Sequence, residues 1–293
     1  MIDFFVTKYI IMLKYIKRVI NLDLKPQLFF FNRDKLLEGP CWDGKNNILY
    51  CVSIKNERIY AFDTETGRLV SYETDGPVGC VDIDKDGNLY SAEKTGIFKT
   101  DLKTGKKQFF AHAYDGDYYR YNDGKFDPKG RLFVGIMGDL SRKPGDGALY
   151  RICDGKISVA VENTTISNGL GWSPDGKYMY FIDTPTKKVM RYSYGIDSGD
   201  MSDPTVFAEI SNGSPDGMCV DIDGSVFVAQ WGGGCVSHYD GVSGKKLGEI
   251  SLPCKNVSCC AVGGKDMDTL FITTAVGAEY EPLAGGLFAV KIR

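Results

Sequence analysis

Oxygen-bearing side chains occur just ahead of several short apolar stretches of the chain. Glu38 opens "EGP", Asn168 lies in "SNG" and Asp216 lies in "PDGM". A fourth segment, "RYNDG", joins Arg120 to Asn122. Carboxylate and amide oxygens are the ligands that hard divalent cations such as Ca²⁺, Mg²⁺ or Mn²⁺ prefer. The residue types therefore indicate a metal site with an arginine beside it, provided that the fold brings the four segments together.

A repeating unit in the sequence shows how the segments can meet. Six times, a turn rich in Asp, Ser, Lys and Gly precedes a short apolar strand, as in "DKDGNLYSAE" and "DIDGSVFVAQW". The turns begin about 41 to 48 residues apart, at Asp43, Asp84, Asp127, Ser173, Asp221 and Gly263. Steps of this size, with strands of period two and no helical periodicity between them, predict an all-β fold, a six-bladed β-propeller. A parallel sheet is disfavoured because its crossover helices have no counterpart in the pattern.

The repeat places the oxygen-bearing residues in register. The positions five residues before the turns are Glu38, Gly79, Asn122, Asn168, Asp216 and Ser258. The innermost strands of a propeller run beside its central channel, so these positions should form one ring at one end of the channel. Asn, Asp and Gly are also common turn residues before strands, which accounts for any one of them. Four carboxylate or amide side chains in register favour a central metal site, and two carboxylates would leave the ion enough positive charge to act as a Lewis acid.

Arg120 stands two residues before the ring position Asn122. In an extended backbone, residues two apart point to the same side of the chain. We therefore expect Arg120 and Asn122 to face a bound ligand together. An alternative interpretation is that Arg120 forms a salt bridge at the protein surface.

The two ends of the chain are expected to differ in role. The segment "PQLFFFN" is predicted to supply an outer strand that closes the ring with the last blade. Residues 21–293 then form one propeller domain, and residues 1–20 an extension outside its core. The extension is apolar but is interrupted by charged residues, among them Asp3, Lys8, Lys14 and Lys17, too many for a membrane span, and it lacks the features of a signal peptide.

The composition excludes several functional classes. Lys and Arg number 35 against 38 Asp and Glu, and no basic cluster with interleaved aromatic residues occurs, so we expect no nucleic-acid partner. The nine cysteines contain no C-x-x-C pair, which favours reduced, buried thiols and a cytoplasmic location. The two histidines, His112 and His238, fall on predicted outer strands, so a Ser/His/Asp triad or a Cys–His pair is disfavoured.

Longer motifs show a resemblance to a known family. "LLEGPCWD", "YRYNDGKFDPKGRLFVGIM", "ISNGLGWSPDGKYMYFIDT" and "PDGMCVDIDGSVFVAQW" resemble the SMP-30/gluconolactonase/luciferin-regenerating-enzyme family, which includes regucalcin. The resemblance runs from about Leu36 to Arg293, and the motifs follow in the family's order and spacing. It implies a six-bladed propeller with one catalytic divalent metal ion (Ca, Mg, Mn or Zn) that hydrolyses sugar lactones.

The resemblance also implies roles for individual residues. Glu38, Asn168 and Asp216 match the family's metal ligands, and Arg120 and Asn122 match its substrate-contacting positions. The chain departs from the family pattern in the loop "GIMGDLSRKPGDG", where members often carry a glutamate that touches the substrate. Only Asp139, one methylene shorter, could take its place. Many members also have Asp where this chain has Ser53, so the resemblance leaves the identity of the sugar lactone open.

The mechanism expected from these assignments is metal-assisted hydrolysis of a small-molecule sugar lactone. The metal would polarise the lactone carbonyl and stabilise the tetrahedral oxyanion, while Asp216 acts as the general base for the attacking water. A calcium-binding or regulatory protein of the regucalcin type, and a related ester or phosphotriester hydrolase, are alternatives. A cation beside the ring, Arg120, favours an enzyme. A protein-interaction scaffold is disfavoured because it needs no polar ring.

Overall fold

The computed structural model describes residues 25–102 and 104–293. In this part of the chain, six four-stranded antiparallel sheets form the blades of a β-propeller, as predicted. No helix of the described residues is long and apolar enough to cross a membrane. The predicted extension, residues 1–20, and residues 21–24 of the predicted domain lie outside the described residues. The boundary at residue 21 therefore stays a prediction.

The strands follow the chain in blade order, and the first strand of each blade is the innermost. The first strand of the described chain is β1 (Gln27–Phe31). Blades 1 to 3 consist of β2 (Leu37–Asp43), β3 (Ile48–Ser53), β4 (Arg58–Asp63), β5 (Leu69–Glu73); β6 (Val78–Ile83), β7 (Leu89–Glu93), β8 (Gly96–Thr100), β9 (Lys107–Ala111); and β10 (Tyr119–Phe126), β11 (Leu132–Gly138), β12 (Gly147–Cys153), β13 (Lys156–Thr164). Blades 4 to 6 consist of β14 (Ser167–Trp172), β15 (Tyr178–Asp183), β16 (Lys188–Gly195), β17 (Asp200–Glu209); β18 (Ser214–Val220), β19 (Val226–Trp231), β20 (Cys235–Tyr239), β21 (Lys246–Ser251); and β22 (Val257–Gly263), β23 (Thr269–Thr274), β24 (Gly286–Lys291).

The sixth blade obtains its outer strand from the beginning of the described chain. β1 pairs antiparallel with β24, with Phe31 opposite Gly286. Aromatic rings then seal the junction with blade 1, since the ring centroids of Phe30 and Phe62 lie 4.9 Å apart. The predicted closure by "PQLFFFN" is confirmed, and it ties the two ends of the repeat array into one ring.

The hydrophobic core lies between neighbouring blades. The innermost strands contact one another in sequence around the ring, and β22 returns to contact β2. In blades 4 and 5, for example, Tyr180 packs in one cluster with Met218 and Val226. Inner strands such as β3 are buried on both faces, whereas the outer β5 alternates between exposed and half-buried residues. Polar side chains on the innermost strands consequently have only the channel to point into.

Every innermost strand carries a pairing irregularity at its ring position. The register shifts fall between Glu38 and Cys41, Val78 and Cys80, Tyr121 and Gly124, Ser167 and Leu170, Pro215 and Met218, and Val257 and Cys259. A β-bulge breaks the simple alternation of side chains and re-aims one of them. The bulges thus allow successive residues of an innermost strand to reach the channel.

The cysteines are free thiols, as predicted, and seven of the nine are buried. Cys41 is half-buried, and Cys153 is exposed at the end of β12, so the expectation of a buried thiol is wrong for Cys153. Its strand ends at the blade edge, where the side chain meets solvent.

Candidate metal and substrate site

All six ring positions occupy equivalent places on the innermost strands. They are Glu38 on β2, Gly79 on β6, Asn122 on β10, Asn168 on β14, Asp216 on β18 and Ser258 on β22. Each lies in or next to the bulge of its strand, at the same end of the channel. The register inferred from the repeat is therefore the register of the fold.

Two predicted metal ligands are in direct contact. Nδ2 of Asn168 donates a hydrogen bond to Oδ1 of Asp216, in the neighbouring blade, and another to Oγ1 of Thr184 at 3.0 Å. Both amide hydrogens of Asn168 are used in this way. Its carbonyl oxygen Oδ1 is left as the free acceptor, which is the atom that would coordinate a cation.

The carboxyl groups at this end of the channel repel one another. Burial raises the pKa of Glu38, and the neighbouring Asp216 and Asp123 raise it further. Burial also raises the pKa of Asp216, against the hydrogen bond from Asn168, and Asp123 adds to the rise. Buried charges of one sign need a counter-charge. The arrangement therefore fits a bound divalent cation, which would relieve the repulsion.

Asp123 is a member of this cluster that the sequence analysis missed. It is buried, and its Oδ2 has no hydrogen-bond partner, while Oδ1 accepts a bond of 2.7 Å from the Gly124 amide. An unpartnered buried carboxylate oxygen is costly, which points to a ligand. A comparison of the six repeats distinguishes Asp123 from the equivalent residues. One position beyond the ring, three blades carry Gly and two carry Cys, and only blade 3 carries an acid.

Close packing explains two of the three glycines that follow ring residues, Gly169 and Gly217. A Cβ at Gly169 would overlap the carbonyl oxygen of Asp216, and one at Gly217 would overlap the side chain of Cys259. Neighbouring innermost strands therefore approach too closely at these points for any larger residue. Close approach, rather than turn chemistry, accounts for the "NGL" and "DGM" motifs.

Arg120 and Asn122 are joined by a hydrogen bond beside the carboxyl groups. Nη1 of Arg120 donates to the carbonyl oxygen of Tyr121 at 2.8 Å and to Oδ1 of Asn122 at 2.9 Å. Nδ2 of Asn122 donates to the Ser167 carbonyl oxygen at 2.9 Å. Burial lowers the pKa of Arg120, and Asp139 opposes this effect. Arg120 is only 5% exposed, so the alternative of a surface salt bridge is wrong.

Asp139 follows β11 and lies next to Arg120. Its Oδ1 is 3.5 Å from Nε of Arg120, and Lys55 and Lys94 each approach the same carboxylate to 3.6 Å. The structure thus places Asp139 beside Arg120 and surrounds its carboxylate with cations, and its contact with a substrate stays a prediction.

Lys125 lies across the channel beyond the ring. Its side chain starts in blade 3, and Nζ donates to the carbonyl oxygens of Leu170 at 3.1 Å and of Met218 at 2.5 Å. The side chain is half-buried, and Asp123 raises the pKa of the ammonium against the effect of burial. Lys125 therefore links the innermost strands of blades 3, 4 and 5.

The acidic, histidine and cysteine side chains do not by themselves form a metal site in the structure. Among the described residues, no three such side chains lie close enough together to hold an ion. The predicted ligand set includes an amide, Asn168, and the central metal site stays a prediction.

A cavity of about 1180 Å³ lies between blades 1 and 2, at the opposite end of the blades. Lys45, Asp63, Asn88 and Lys99 are among the residues that line it. It contains none of the predicted site residues and mixes both signs of charge.

Comparisons with known proteins agree with the fold. Residues 36–276 match the model of the SMP-30/gluconolactonase/LRE-like region. The chain is 34% identical to regucalcin from Danio rerio over 267 residues, which cover 89% of this chain and 90% of the relative. It is 35% identical to the pentonolactonase XacC from Haloferax volcanii over 249 residues, which cover 83% of this chain and 82% of the relative.

A solved structure extends the likeness to three dimensions. The calcium-binding protein regucalcin from Agrobacterium tumefaciens superposes with a TM-score of 0.86 at 26% identity, covering 92% of this chain and 96% of that one. The matched region contains the ring residues from Glu38 to Ser258. This chain belongs to the SMP-30/gluconolactonase/LRE-like family.

Proposed function

We propose that this protein is a divalent-metal-dependent hydrolase that opens sugar lactones. The observation that carries the proposal is the hydrogen bond from Asn168 to Asp216 on the ring, with the carboxyl group of Glu38 and the guanidinium of Arg120 buried at the same end of the channel. The carboxylates suit a metal ion, and a buried cation next to them suits an electron-rich ligand such as a lactone. The relative named pentonolactonase supports this substrate class.

Glu38, Asn168 and Asp216 would hold the ion through oxygen atoms. When bound, a divalent cation supplies a Lewis acid for the lactone carbonyl. Oxygen ligands favour Ca²⁺, Mg²⁺ or Mn²⁺ over Zn²⁺. The calcium-binding relative from A. tumefaciens supports Ca²⁺.

Asp216 is proposed as the general base. Its Oδ1 accepts the hydrogen bond from Asn168, which fixes the carboxylate and leaves Oδ2 to remove a proton from the attacking water. The water oxygen bonds to the carbonyl carbon, the ring C–O bond breaks, and the former ring oxygen takes up a proton. The product is the open hydroxy acid. Arg120 and Asn122, already fixed to each other, would orient the sugar hydroxyls.

The test is hydrolysis of a panel of aldonolactones by metal-stripped protein, with and without added Ca²⁺, Mg²⁺, Mn²⁺ or Zn²⁺. We expect turnover only with metal, and a loss of about two to four orders of magnitude in Asp216→Asn. Asp266→Asn, an exposed position in the turn between β22 and β23, is the matched control and should keep full activity.

The same assay separates the alternatives. Tight metal binding without turnover of any lactone would overturn the proposal and favour a calcium-binding protein of the regucalcin type. Aryl esters and phosphotriesters belong in the panel, because preferred turnover of either would assign the site to a related hydrolase.

A further inference from the structure

A group of cations surrounds the mouth of the site on one side. Lys55 lies in the turn between β3 and β4, and Lys94 in the turn between β7 and β8. These turns belong to blades 1 and 2, and Asp139 follows the equivalent strand of blade 3. Arg120 lies beneath Asp139, and Arg142 in the following loop acts electrostatically on Arg120. We call Lys55, Lys94, Arg120 and Arg142 the cationic rim.

Asp139 cannot balance this charge. One carboxylate faces three of the cations, at 3.5 Å from Arg120 and 3.6 Å from each lysine. These separations exceed the usual hydrogen-bond length of about 2.7–3.2 Å, so the donors keep capacity for another acceptor. Glu38 and Asp216 in the channel also act electrostatically on Arg120, so the excess positive charge of the rim lies at Lys55, Lys94 and Arg142. Like charges held together in this way are stabilised by a bound anion.

The rim is also built in part from fixed side chains. Nζ of Lys94 donates to the carbonyl oxygens of Asp117 and Tyr119, both at 2.6 Å, and its side chain is 20% exposed. Arg120 is buried and is bonded to Asn122. Two of the four cations are therefore positioned before a ligand arrives, which reduces the ordering cost of binding.

We infer that the substrate is a sugar lactone bearing a second anionic group, a carboxylate or a phosphate, at the end remote from the lactone carbonyl. This inference rests on the proposed lactonase function and deepens it. The carboxyl cluster in the channel serves the lactone end of the substrate, and the cationic rim receives the anion. Arg120 belongs to both regions, because it donates a hydrogen bond to Asn122 of the ring and shares the Asp139 carboxylate with the two lysines of the rim.

The test uses two matched pairs of lactones that differ only in the remote group. Glucono-γ-lactone is compared with glucaro-γ-lactone, which adds a carboxylate, and glucono-δ-lactone with 6-phosphoglucono-δ-lactone, which adds a phosphate. We expect kcat/KM to be about tenfold higher for at least one anionic member, mainly through KM, and the advantage to shrink in high salt. The pair that shows the advantage identifies the anion.

Substitutions of single lysines test whether the rim causes the preference for anionic lactones. Lys55→Met should reduce the ratio of anionic to neutral kcat/KM about fivefold, because it removes one exposed rim charge. Lys45→Met is the control, since Lys45 lies at the opposite end of the same strand, β3, and should leave the ratio unchanged. An advantage that persists in Lys55→Met and in high salt would overturn the inference.

The outcomes for the two proposals differ. If neutral lactones are hydrolysed and the anionic members show no advantage, only the substrate inference fails. If no lactone is hydrolysed, the lactonase proposal fails, and calorimetric titration with glucarate and gluconate still tests the rim. Equal binding of these two acids would overturn the inference, and tighter binding of glucarate would support it.

Discussion

Asn168 in blade 4 donates a hydrogen bond through Nδ2 to Oδ1 of Asp216 in blade 5, across the boundary between the blades. The bond turns the amide oxygen of Asn168 away from Asp216 and fixes one carboxylate oxygen. Two residues 48 positions apart in sequence thus act as one polar unit at the end of the channel.

Removal of the Asn168 amide should weaken metal binding. Asn168→Ala deletes one proposed ligand and also releases Asp216, so we expect the metal affinity to fall by about 10- to 100-fold. Calorimetric titration with Ca²⁺ measures this. Asn88→Ala is the control, because Asn88 bonds Asp84 in the same manner at the opposite end of a blade. Unchanged affinity in Asn168→Ala would contradict the ligand assignment.

The stability of the metal-free protein should decrease as the pH rises. Burial raises the pKa values of Glu38 and Asp216 above their unfolded values of about 4. The folded state then binds more protons than the unfolded state, so the free energy of unfolding falls from about pH 4 towards neutral pH. We expect a loss of about 1–3 kcal/mol between pH 5 and pH 8.

Urea denaturation in the presence of a chelator measures this pH dependence. Asp216→Asn removes one of the titrating groups and should flatten it, and added metal should restore stability most at the higher pH. Stability that rises steadily from pH 5 to pH 8 in the chelated protein would contradict the prediction.

Asp123→Asn should raise the stability of the metal-free protein and lower its affinity for metal. Burial of this carboxylate outweighs its attraction to Lys125, and it also repels Glu38 and Asp216, so its neutralisation should stabilise the metal-free protein by about 1 kcal/mol. The same change should weaken metal binding about tenfold, since a negative group near the ion is lost. Thermal denaturation without metal and calorimetry with metal provide the two readings. A decrease in both would assign Asp123 a structural role.

Gly217→Ala should destabilise the fold. The added Cβ would overlap Cys259 in the next blade, and the innermost strands cannot separate without disturbing the ring. We expect a loss of about 1–3 kcal/mol in the free energy of unfolding, measured by urea denaturation. Gly44→Ala is the matched control, because a Cβ there meets only Trp42, at ordinary contact distances from 3.4 Å. Equal stability of the two variants would contradict the packing argument.

The sequence by itself determined the number of blades, the closing strand and the ring register. The turns recur at a nearly constant spacing, and one copy of the pattern aligns all the others, so Glu38, Asn168 and Asp216 could be placed together without coordinates. A repeat fixes equivalent positions because each unit packs in the same way against its neighbours.

Only the tertiary structure decided which neighbouring side chains share the site. Asp123 follows a ring residue, and simple strand alternation would turn it away, but the bulge in β10 and the burial of its Oδ2 make it part of the carboxyl cluster. Lys55, Lys94 and Asp139 come from turns of three different blades. Their contacts depend on how the blades are arranged around the channel, and no local sequence pattern encodes that distance.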